Sequence, residues 1–154
     1  RALGLRHGPM HAELRVHDGN PVVVELAGRS IGGLCSQTLQ FGTDASLEEL
    51  ILRQACGLLD TLPPRVGGAG GVMMIPIPAA GTLLGVAGEA EARAVPGVES
   101  VTITAPRHYP LVPLPEGESY LGFIIARADA PAAVEAALRA AHRALRFEIE
   151  APLA

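Results

Sequence analysis

The residues of this sequence best placed to do chemistry are two glutamates and an arginine, Glu13, Glu25 and Arg29. Asp18-Gly19-Asn20 is a turn signal between two strand-like runs, His11–His17 and Pro21–Gly28, which together predict a hairpin. A three-residue loop sets Ala12 against Leu26, Leu14 against Val24 and Val16 against Val22, giving one wholly apolar face. A two-residue loop would mix Glu25 with Ala12 on that face, so the longer loop is preferred, with Asn20 taking the left-handed conformation. In this register Glu13 lies directly opposite Glu25, with Cβ atoms roughly 5 Å apart. Facing carboxylates repel and need compensation, which a hard divalent cation such as Mg²⁺ supplies through oxygen ligands. A solvated charged face with Arg15 as counter-ion is the alternative. Arg29, two steps beyond Ala27 on the same face, turns the pair of carboxylates into a metal-and-phosphate clamp.

Other groups carry weaker chemistry. His7, His11, Glu13 and His17 suggest zinc by residue type, but His11 and His17 stand about 20 Å apart along an extended strand, too far for one ion. Gly67–Gly71 precedes a strand rather than a helix, so it reads as a hinge or linker and not as a phosphate cradle. Nothing near Cys35 lowers the pKa of its thiol, and both Cys35 and Cys56 read as small packing residues. His108 and Tyr109 lie in a proline-rich loop that has the option of covering a substrate.

The elements that would position these groups can be traced along the chain. After the hairpin, Arg29-Ser30-Ile31-Gly32-Gly33 reads as a flexible loop. Ser46-Leu47-Glu48-Glu49 has the form of a capping box, and Leu47, Leu50, Ile51, Ala55 and Leu58 follow at helical spacing as far as Pro63-Pro64. A subdomain boundary falls at the glycine run, giving units of 1–66 and 67–154. The second reads strand (72–78), short helix (86–94), strand (98–104), strand (120–127), helix (131–145) and strand (146–149). That order, βαββαβ, is the ferredoxin-like or split βαβ pattern, and the fold class is α+β. Residues 104–119 would form a long exposed loop between paired strands.

Composition narrows the partners. A net charge of -4 and 3% aromatic residues argue against nucleic acid, and no apolar run approaches a membrane span. Two cysteines are too few for a disulfide scaffold and suit a reduced, cytoplasmic setting. All 12 basic residues are Arg, which excludes lysine-dependent chemistry such as a P-loop within these 154 residues. The chain also opens without Met.

The residues around the hairpin resemble a known family. His11-Ala12-Glu13-Leu14, a turn, Val23-Val24-Glu25-Leu26-Ala27-Gly28-Arg29, Ile31-Gly32-Gly33 and the Leu47–Leu59 helix are similar, in order, to the C-terminal end of an ATP-grasp domain. The branch is that of carboxylate–amine ligases such as the L-amino-acid ligases, whose small C-terminal domain the second half resembles. The resemblance implies that Glu13 and Glu25 are Mg²⁺ ligands and that Arg29 stabilises an acyl phosphate. It also implies that His11, Gly32 and Gly33 bind substrate and that ATP, a carboxylate and an amine are the small-molecule partners. One position departs from the pattern, since Ala27 stands where the family usually has Asn. On this reading the chain begins mid-domain, after the phosphate-binding lysines, and is inactive alone. The competing reading is a stand-alone ligand-binding module or edge-to-edge homodimer in which the hairpin is only an arm.

Overall fold

The computed structural model describes residues 4 and 6–152, so the expected domain ends at residues 1 and 154 lie outside the described residues. The chain divides into two compact units, Arg1–Val66 and Gly67–Ala154.

The first unit opens with an antiparallel hairpin of β1 (His11–His17) and β2 (Asn20–Ala27). Its turn has two residues, not three: Asp18 and Gly19 both take positive φ, 48° and 75°. An Asp-Gly pair suits a turn of this handedness, whose twist matches that of the strands it joins. Leu14 therefore faces Val23 and Val16 faces Pro21, one step off the expected pairing. Between Leu14 and Glu13 the register shifts, leaving Val24 as the extra residue of a bulge. The bulge cancels the shorter turn, so Glu13 still faces Glu25, Ala12 faces Leu26 and His11 faces Ala27. Leu14, Val16, Val22, Val23 and Val24 are all more than half exposed, so the expected apolar face is not buried.

A 3₁₀ turn (Cys35–Thr38), the short strand β3 (Gln40–Phe41) and helix α1 (Leu47–Ala55) follow, and β4 (Arg65–Val66) pairs with β3. The Ser46 hydroxyl caps α1 by accepting a hydrogen bond from the Glu49 N–H at 3.1 Å. The helix ends before the prolines, at a Schellman turn. Gly57 is left-handed, the Leu58 N–H donates to Arg53 O at 2.8 Å, and the Gly57 N–H donates to Gln54 O at 3.1 Å.

The second unit holds β5 (Ala69–Ile75), β6 (Gly81–Ala87), α2 (Glu89–Arg93), β7 (Val98–Ile103), β8 (Pro110–Leu111), β9 (Gly122–Ala128), α3 (Pro131–Ala144) and β10 (Arg146–Glu150). The expected βαββαβ order is present in β5, α2, β7, β9, α3 and β10, and β9 pairs antiparallel with both β5 and β7. Strand β6 was not expected. The Ala-rich stretch around it favours a helix locally, but its alternate residues Gly81 and Leu83 are buried while α2 starts only at Glu89. β6 takes β10 as its partner and also pairs with β8, so two three-stranded sheets form instead of one four-stranded sheet. The proline-rich segment is correspondingly less free than expected, because β8 lies within it and Leu111 is buried.

The core belongs to this unit. Val134, Ala137, Leu138 and Ala141 form the inward face of α3 and, with Leu145 just beyond its end, join Ile75, Leu83, Leu121 and Ile124 in one cluster with residues from both sheets. The glycine run is part of this packing, not a linker: Gly70 and Gly71 lie within β5. A Cβ at Gly71 would meet Val134 Cγ1 at 2.7 Å, so the missing side chain is what lets α3 approach the sheet. In the first unit Leu50 is the one buried hydrophobic residue among those described.

Candidate functional site

The mouth of the hairpin gathers four of the six residues singled out from sequence. Glu13 and Glu25 are paired positions, and the strand alternation sends both side chains to one face. Glu13 Oε1 lies 3.1 Å from His11 Nε2, two residues away on the same strand. Glu25 Oε1 lies 3.6 Å from Arg29 Nη2, four residues on, and Arg29 Nη1 donates a hydrogen bond to Ser30 O at 3.0 Å. The two carboxylates and the guanidinium are each about half exposed, at 52%, 51% and 55%, whereas His11 is only 18% exposed. Each glutamate is thus flanked by a nitrogen side chain while keeping an open approach from solvent.

Gly32 and Gly33 serve a neighbouring turn. The Cys35 N–H donates to Gly32 O at 3.1 Å, and the two central residues, Gly33 and Leu34, have φ of 62° and 57°. Gly33 fills a position where its lack of Cβ removes strain, and nothing within 4 Å would obstruct a Cβ at Gly32. No hydrogen bond or ion pair among the described residues joins either glycine to the Glu13–Glu25 cluster. Cys35 is half-buried, with its thiol 3.7 Å from Gly33 O, but Cys56 is exposed and so is not the packing residue expected. Neither is in a disulfide.

Beyond this turn lies a feature that sequence spacing did not reveal. A cavity of about 500 Å³, whose lining includes Ser36, Gln40, Asp44, Ser46 and Glu48, opens between the 3₁₀ turn and the start of α1. The Ser36 hydroxyl, first of all, and then the backbone N–H of Glu48 itself hold the Glu48 carboxyl below the ordinary glutamate range. Partial burial opposes them, and the Ser46 hydroxyl adds a smaller contribution in the same direction. The capping pattern pointed to Ser46, but nothing in linear order connects Ser36 with Glu48. Both residues line the cavity, where the loop after Gly33 meets the start of the helix. Because the folded carboxyl has the lower pKa, its stabilisation is complete above the ordinary glutamate range and is lost as the pH falls through the folded value. Acid titration followed by NMR is therefore expected to place the Glu48 carboxyl midpoint below the ordinary glutamate range, and Ser36→Ala to raise it.

Among the described residues no group of three or more His, Cys, Asp or Glu side chains is arranged to hold a metal ion. The mouth of the hairpin offers two carboxylates, Glu13 and Glu25. That donor set fits Mg²⁺, which commonly takes one or two protein carboxylates and fills its remaining positions with water and substrate phosphates. Ala27, half-buried opposite His11, adds no side-chain oxygen.

Comparison with known proteins gives the family and the fold. The family model described as L-amino acid ligase C-terminal domain 2 matches residues 73–150, just over half of the chain. The chain belongs to this family. The crystal structure of the L-amino acid ligase from Bacillus licheniformis matches with a TM-score of 0.81 and 28% identity, over 97% of this chain and 38% of the other. Two further structures share the fold. Phosphoribosylglycinamide synthetase from Anaerococcus prevotii has a TM-score of 0.71 and 15% identity, over 97% of this chain and 39% of the other. N5-carboxyaminoimidazole ribonucleotide synthetase from Thermotoga maritima has a TM-score of 0.67 and 16% identity, over 92% and 37%. The mixed α/β architecture is that of the C-terminal part of ATP-grasp ligases. This member of the L-amino acid ligase family spans under two-fifths of the length of each of these three solved chains. No curated protein matches it.

Proposed function

We propose that this chain supplies the metal-and-arginine part of the active site of an ATP-dependent ligase that joins a carboxylate to an amine through an acyl phosphate. The observation that carries the proposal is the facing pair Glu13 and Glu25 with Arg29 beside it, in a chain of the L-amino acid ligase family. Residues 1–66 are then the C-terminal segment of the ATP-grasp domain and 67–154 its small C-terminal domain. In such a ligase the substrate carboxylate attacks the γ-phosphate of ATP, releasing ADP, and the amine then displaces phosphate from the acyl group.

Each residue has a role that its position allows. Glu13 and Glu25 would hold Mg²⁺, which when bound supplies positive charge beside the transferring phosphoryl group. Arg29 offers a planar fork of N–H donors suited to phosphate oxygens, including those of the acyl phosphate. His11 stands beside Glu13 at the less exposed end of the site, where it would contact substrate, and the Gly32–Gly33 turn would present backbone N–H groups to a carboxylate. This is charge neutralisation and alignment, which is most of what phosphoryl transfer asks of a protein. The two unpaired cysteines are in keeping with a cytoplasmic ligase, and no helix among the described residues is long and apolar enough to cross a membrane. The chain contains no lysine to grip phosphates, so by itself it should neither bind ATP tightly nor catalyse ligation.

Hydroxylamine trapping tests the reaction class. The intact ligase, given ATP, Mg²⁺ and an amino acid, is expected to yield the amino acid hydroxamate together with ADP, because hydroxylamine intercepts an acyl phosphate. Formation of pyrophosphate in place of ADP would show acyl-adenylate chemistry and overturn the proposal.

A further inference from the structure

The oxygen that Arg29 holds is one that a cation would need. Arg29 Nη2 approaches Glu25 Oε1 at 3.6 Å, and the two side chains share one strand end, four residues apart. A carboxylate oxygen paired with a guanidinium has lost part of the negative charge that draws a divalent ion. The reverse is equally true: an arginine committed to Glu25 is not available to a phosphate. The same arrangement recurs on the other strand, where Glu13 Oε1 faces His11 Nε2 at 3.1 Å. Both carboxylates are thus shared with residues that would handle the substrate, across a hairpin whose register sets them opposite each other.

We propose that Arg29 and the divalent cation compete for Glu25, so that metal loading releases the Arg29 guanidinium toward the phosphate it is to bind. The inference rests on the metal-ligand reading of Glu13 and Glu25 given above, and adds to it an order of events. The arginine is held near its working place until the cation arrives and becomes free when the charge it must meet has arrived too. The pair is about half exposed, and exposed ion pairs contribute on the order of 0.2–1 kcal/mol. Competition of that strength changes cation affinity by about 1.4- to 5-fold.

The test is Mn²⁺ binding to the chain, followed by water-proton relaxation, in the wild type and in the variants Arg29→Gln, Arg15→Gln and Glu25→Gln. Arg29→Gln is expected to bind Mn²⁺ about 1.4- to 5-fold more tightly than wild type. Arg15→Gln removes the same charge from the same hairpin, at a position opposite Val22 and without an ion pair to Glu25 among the described residues. It controls for the general electrostatic effect and is expected to change affinity less. A Mg²⁺ titration read by NMR should move the Arg29 guanidinium signal in the wild type and leave it unmoved in Glu25→Gln. Equal affinities of Arg29→Gln and Arg15→Gln, or an Arg29 signal indifferent to Mg²⁺ while Glu25→Gln weakens Mn²⁺ binding, would overturn the competition and leave the metal site standing. Wild-type Mn²⁺ affinity in Glu25→Gln would instead overturn the metal site itself, and the competition with it.

Discussion

Glu25→Gln in the intact ligase is expected to lower the rate of ATP-dependent ligation by about 10²- to 10³-fold, the scale reached when one preorganised electrostatic contact to a phosphoryl or acyl transition state is removed. The substitution keeps the shape and reach of the side chain while removing its charge and exchanging one acceptor oxygen for an NH₂ donor. Glu25 is about half exposed on the hairpin, so the change opens no cavity in the core. It relieves the repulsion from Glu13 opposite and gives up the ion pair with Arg29, each worth about 0.2–1 kcal/mol, so the variant is expected to stay close to wild type in stability. The two readouts therefore separate: folding nearly unchanged, and turnover lost mostly in kcat. ATP hydrolysis at the wild-type rate by the folded variant would remove Glu25 from the metal site. Arg29→Lys probes the neighbouring contact with charge retained. A lysine there offers a point charge in place of a fork, so recovery of only part of the activity would show that the planar donor set is what the phosphate requires.

The positions of Glu13 and Glu25 were legible because strand alternation and an apolar face admit few registers. The route to that register was not. Asp18-Gly19 closes a two-residue turn, which alone would have moved Glu25 off Glu13, and the bulge at Val24 moves it back. A bulge at a valine among valines leaves no mark in the sequence, since the extra residue resembles its neighbours. The face used to choose the register is itself solvent-exposed, so the pairing was right for a reason only partly correct. Helix α3 was read nearly to its ends because Pro131 begins it and four inward residues recur at helical spacing. Strand β6 was missed because alanine and glycine say little about whether a segment is helix or strand, and its burial is decided by β10 and β8, distant in the chain. The Ser36–Glu48 contact was illegible for the same reason: it exists only once the 3₁₀ turn and α1 are brought together.

Ile124→Ala is expected to destabilise the second unit by about 2–5 kcal/mol, the range for truncating a large aliphatic side chain in a packed core. Ile124 is fully buried on β9, the strand flanked by β5 and β7, so the cavity would open where the sheet has least freedom to collapse. Single domains are commonly stable by only about 5–15 kcal/mol, which makes this a large fraction of the total. Ile124→Val removes one methylene from the same place and is expected to cost about 0.5–1.5 kcal/mol, so the pair of variants distinguishes a cavity effect from disruption of β9. Urea unfolding followed by NMR resolves the two units. The transition of Gly67–Ala154 should move to lower denaturant at unchanged slope, while the hairpin signals of Glu13 and Glu25 keep their own midpoint. That separation follows from where the apolar residues are buried, because all of the clustered core lies in the second unit while the first has Leu50. If the hairpin signals were lost in the same transition, the two units would fold as one. The geometry of the Glu13, Glu25 and Arg29 cluster would then depend on the core around Ile124, and a destabilised core would lower activity without touching any of the three.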